Sequence, residues 1–65
     1  MPTTRQDIAK QVRKAREEKG LTQAEVAQKA ELTLNYYAMI ERAEVNVSTD
    51  KLAKICKALE ITIKI

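Results

Sequence analysis

The chain of 65 residues has no histidine, one cysteine and one glycine. Without histidine and with Cys56 alone, none of the usual zinc spacings can be assembled and no internal disulfide can form. There is also no activated nucleophile, and no cleft is to be expected in so short a chain, so an enzyme is not expected and no cofactor is implied. No apolar run approaches the roughly 18 residues that a membrane helix needs, and no signal-peptide core is present. A cytoplasmic protein without membrane contact is the expectation. Internal repeats, linkers and low-complexity stretches are missing too, which points to a single domain over residues 1–65. Its core must be small, near the lower limit for folding alone, and a partner or a second copy is expected to contribute stability.

Strong charge of either sign is missing as well. Twelve basic residues against nine acidic ones leave a net charge of +3 and a pI of about 9.2, a balance that permits nucleic acid without demanding it. The distribution is uneven. Arg5, Lys10, Arg13, Lys14, Arg16 and Lys19 outnumber Asp7, Glu17 and Glu18 at the start of the chain. Between residues 22 and 45, Lys29 and Arg42 are outnumbered by Glu25, Glu31, Glu41 and Glu44. A purely electrostatic mode of binding is therefore not expected of that middle segment.

What is present is a succession of helix signals. Thr3 or Thr4 caps a first helix over about Arg5–Lys19, with Ile8, Val12 and Ala15 on one face. Gly20 follows it and suits a left-handed terminating position. Thr22 with Glu25 three residues later is a capping box, opening a second helix with Val26, Ala27 and Ala30 inward. Thr33 caps a third helix that turns Tyr37 and Ile40 inward, with Glu31 and Leu32 between the two. Two helices joined by so short a turn form the frame of a helix-turn-helix, whose second helix can lie in the major groove of DNA. Beyond a loop through Ala43–Val47, Ser48 caps a fourth helix over Thr49–Leu59, with Asp50 favourably placed in its first turn. Cys56 shares the apolar stripe Leu52, Ile55, Leu59 and reads as a buried structural thiol. The tail from Ile61 to Ile65 alternates apolar and polar residues, the pattern of a strand, which could pair with a second subunit or simply pack its isoleucines on the core.

Two charged residues fall where apolar ones belong. Arg16 continues the inward stripe of the first helix, four residues after Val12, and Glu41 lies on the inward edge of the third, four after Tyr37. Burying either alone would be costly, so the two are expected to pair.

The run Glu17-Glu18-Lys19-Gly20-Leu21-Thr22-Gln23-Ala24-Glu25-Val26-Ala27, followed by Ile40-Glu41-Arg42 and by Leu52-Ala53-Lys54-Ile55-Cys56-Lys57-Ala58-Leu59, resembles the XRE family, the Cro and phage-repressor type of helix-turn-helix. The resemblance covers about residues 5–60. It implies an all-α, compact bundle of four to five helices, to which the alternation of the tail would add at most a short C-terminal strand. It further implies binding to double-stranded DNA as a homodimer and a role as a transcriptional regulator such as a repressor. An arginine matching Arg16 commonly pairs in the family with a glutamate matching Glu41, in agreement with the argument from burial. By the same resemblance Gln23 contacts phosphate, Leu34, Asn35, Ala38 and Met39 face bases, and Tyr36 and Asn46 reach the backbone. Helical geometry independently puts Asn35, Ala38, Met39 and Arg42 on the face away from Tyr37 and Ile40.

The departures from the family's pattern are specific. Glu31 stands where a glycine usually makes the turn, and Ala43 and Glu44 replace a glycine and a basic residue. Leu34 and Met39 replace polar or basic readers, leaving Asn35, which can pair bidentately with adenine, as the strongest base-reading side chain. Tyr37 is bulky for a position that usually holds Ile or Val. An exposed Leu34–Met39 patch beside the acidic Glu44 fits an alternative reading, an antitoxin-like or adaptor protein that uses the same frame to bind a protein partner.

Overall fold

The computed structural model describes residues 4–63. Among them the chain forms four helices and no strand: α1, Arg5–Glu18; α2, Gln23–Lys29; α3, Leu34–Glu41; and α4, Thr49–Leu59. Each begins on a hydroxyl. Thr4, Thr22, Thr33 and Ser48 accept the backbone N–H of the residue three further on, which satisfies one of the first-turn donors left over by the helix pattern. Thr4 is the α1 cap; Thr3 lies outside the described residues. At Thr22 the box is reciprocal, because its own N–H donates to Glu25 Oε1 at 2.9 Å. Thr4 and Asp7 repeat this arrangement at α1.

The helices also end alike. At each C-terminus one residue takes a left-handed conformation: Gly20 (φ 68°), Glu31 (φ 60°), Ala43 (φ 58°) and Glu60 (φ 56°). Each donates its N–H three residues back, and the next residue donates five back: Leu21 to Arg16, Leu32 to Ala27, Glu44 to Met39 and Ile61 to Cys56. The turn closes carbonyls that the helix itself leaves free. It also throws Leu21, Leu32 and Ile61 back against the core. Only the first of these four positions is a glycine, so the other three hold a conformation costing about 1 kcal/mol each for a residue with a Cβ.

The core gathers Ile8, Val12 and Ala15 from α1, Val26, Ala27 and Ala30 from the α2 region, Tyr37 and Ile40 from α3, and Leu52, Ile55 and Leu59 from α4. α1 and α2 each pack against both α3 and α4. The expected strand is not found among residues 61–63, which run without regular structure. The reason is local. The left-handed Glu60 turns the chain back over α4, where Ile63 is buried in the protomer's own core and no neighbouring strand offers a ladder of donors and acceptors. Lys64 and Ile65 lie outside the described residues. Two smaller corrections follow: α1 stops at Glu18 with Lys19 as its cap, and Cys56 is half-buried at the rim of the core.

Candidate nucleic-acid interface

The arrangement of α2 and α3 follows from residues 30–33. Ala30 is fully buried, Glu31 reverses the chain, Leu32 pins the turn to the core, and Thr33 starts α3 at once. The rotation of α3 is set by what it buries, namely Tyr37, Ile40 and Glu41.

Glu41 is the hub. Its carboxylate accepts two hydrogen bonds from the Arg16 guanidinium, Nε to Oε2 at 2.7 Å and Nη2 to Oε1 at 3.1 Å. Arg16 Nη1 also donates to the Leu21 carbonyl at 3.0 Å. Gln23 Nε2 donates to Glu41 Oε1 at 3.0 Å, so one carboxylate ties together α1, α2 and α3. Burial alone would push the Glu41 carboxyl up; the donors around it, Arg16 foremost, outweigh that and hold it below the usual carboxylate range. The Tyr37 hydroxyl is buried beside the pair without a hydrogen-bond partner among the described residues. Burial, with the Glu41 charge nearby, pushes that phenol well up, so it stays protonated.

With Tyr37, Ile40 and Glu41 turned inward, Leu34, Asn35, Ala38, Met39 and Arg42 form one outward stripe along α3, as the sequence implies. Leu34 is half-exposed, the one large apolar side chain so exposed among the described residues. The Asn35 amide reaches only the Met39 sulfur, at 3.9 Å, and remains open to other partners. Arg42 is less free than its position suggests. Its Nη2 lies 3.0 Å from Glu44 Oε1, both side chains about half-exposed.

The remaining site residues lie off the stripe. Gln23 is half-buried and turned toward Glu41. Tyr36 is half-buried, and the Lys51 ammonium sits over its ring, 5.7 Å from the centroid. Asn46 is exposed in the loop between α3 and α4. The Lys51–Tyr36 and Gln23–Glu41 contacts have no signal in the sequence, because they join residues far apart in the chain with no periodic relation.

A helix-turn-helix family profile matches residues 12–65. The chain belongs to the helix-turn-helix family, of the XRE type. Among solved structures it is similar to the crystal structure of the clp gene regulator ClgR from C. glutamicum, with a TM-score of 0.87 and 31% identity. That likeness covers 95% of this chain and 80% of the other. No curated protein sequence matches it. Family membership accounts for the α2–turn–α3 frame. No helix among the described residues is long and apolar enough to cross a membrane.

Proposed function

We propose that this protein is a sequence-specific DNA-binding transcriptional regulator that places α3 in the major groove. The observation that carries the reading is the outward stripe of α3. Five side chains point away from the core, on a helix whose rotation and mounting are fixed by a buried ion pair. Asn35 supplies hydrogen bonds to an adenine edge, while Leu34, Ala38 and Met39 offer apolar contact to thymine methyl groups. Arg42 reaches a base or a phosphate once it leaves Glu44. Gln23, Tyr36 and Asn46 contact the backbone, which positions the protein without reading sequence. The solved structure similar to this chain is named as a gene regulator, which supports a role in transcription, with repression of an overlapped promoter the simplest outcome.

The protein acts as a homodimer on this reading, with half-sites about 34 Å apart, one turn of the duplex. The surface open to the second copy is the groove of about 300 Å³ beside α4, lined by Leu52, Ala53, Cys56 and Ile61 among others. Titration against random duplex fragments at two salt concentrations tests the DNA reading. Binding that weakens steeply with salt supports it, and no binding at either concentration removes it. The second reading, an adaptor that binds a protein through the same stripe, is favoured by the exposure of Leu34 and by the Arg42–Glu44 pairing.

A further inference from the structure

A helix lying in the major groove has a phosphate backbone along each side, so a reading helix needs contacts on both flanks. At about 100° per residue, Glu41 and Tyr36 leave α3 on opposite sides of the Leu34–Arg42 stripe. The Glu41 side carries Gln23, brought there by its hydrogen bond. The Tyr36 side carries Lys51, which reaches across from the first turn of α4 and sets its ammonium over the ring at 5.7 Å. A solvated lysine samples many rotamers, whereas this one is half-buried with its charge held against an aromatic face.

The geometry points to Lys51 as a phosphate-contacting residue, held by Tyr36 on the flank of α3 opposite Gln23. This rests on the reading of the protein as DNA-binding and adds a residue from α4 to the interface. The other lysines of α4 are placed differently. Lys54 lies 3.8 Å from Glu31, and Lys57 lines a polar hollow with Lys29 and Glu60, between the C-terminal ends of α2 and α4. Lys51 alone among them faces α3. Its contact is to the backbone, so it contributes equally on every sequence.

The test is the salt dependence of binding to a random-sequence duplex, measured over a series of KCl concentrations for the parent, Lys51→Gln, Lys51→Arg and Lys57→Gln. Loss of one phosphate contact makes the slope of log K against log salt shallower by about 0.9. That change is expected for Lys51→Gln, with the slope restored in Lys51→Arg and unaltered in Lys57→Gln. Circular dichroism establishes that each variant is folded. An unchanged slope in Lys51→Gln, or an equal change in Lys57→Gln, overturns the assignment of Lys51 while leaving DNA binding in place. A parent protein with no binding at any salt concentration instead removes the DNA reading itself.

Discussion

Arg16 and Glu41 tie α1 to α3 across the core. Their pairing was legible in the sequence because two charges at inward helical positions have no inexpensive alternative. Glu41 is almost wholly buried, its side chain 3% exposed, against 15% for Arg16. Removing one partner of a buried pair typically costs 3–5 kcal/mol, and the residual exposure of Arg16 favours the low end. Arg16→Ala is therefore expected to lower unfolding free energy by about 3 kcal/mol in urea denaturation. The pair also sets a pH dependence. The Glu41 carboxyl is held below its unfolded value of 4.5, so its contribution is fully present above that pH. It is lost as pH falls through the lower, folded value. Thermal melts across that acid range are expected to show a smaller decline for Glu41→Gln than for the parent. A parallel decline in both would mean the carboxylate is not stabilised by folding.

Asn35 on the outward stripe and Glu44 just beyond α3 give a contrast of their own. Asn35→Ala is expected to cost about 1–3 kcal/mol at a selected site and to relax preference at one base pair. Competition binding on single-base variants of that site checks it, and unchanged preference would remove Asn35 from the readout. Glu44 occupies Arg42 and, on the proposed DNA-binding reading, would repel phosphate, so Glu44→Lys is expected to tighten binding on any duplex. A weaker complex would show that Glu44 makes a favourable contact.

At the scale of the elements, what was legible is what is chemically local. The four helix starts follow from a hydroxyl followed by an inward apolar pattern, and the turn at Glu31 from a position where the family holds glycine. The tail left two outcomes open, pairing with a second subunit or packing isoleucines on the core, because period-two alternation alone does not say which; Ile63 packs on the core. The recurrence of one left-handed turn at four helix ends, three without glycine, gives a clean prediction. Ala43→Gly removes only a methyl group from a residue at φ 58° and is expected to stabilise by somewhat under about 1 kcal/mol, glycine's extra unfolded-state entropy being set against the relief. Glu31→Gly is expected to behave likewise, since its contact with Lys54 is long and exposed. Chemical denaturation of both variants checks this, and a clear loss at Ala43 would mean the methyl group contributes more by packing than the backbone conformation costs.

For the whole molecule, assembly and specificity are joined. The tail buries Ile63 within its own protomer but leaves Ile61 half-buried at the lip of the α4 groove. Ile61→Lys is expected to weaken the proposed dimer, read by sedimentation at matched concentrations with circular dichroism to establish that the variant is folded, since Ile61 also packs on the core. On the proposed function, specificity belongs to the outward stripe of α3. The measurement that tests this most directly is selection from a random duplex library, followed by comparison of affinity for the enriched and scrambled sequences at one salt concentration. An enriched site is expected, two-fold symmetric with half-sites about one helical turn apart, bound at least about 10³-fold more tightly than its scramble. Enrichment of no sequence, with equal affinity for both duplexes, would contradict it.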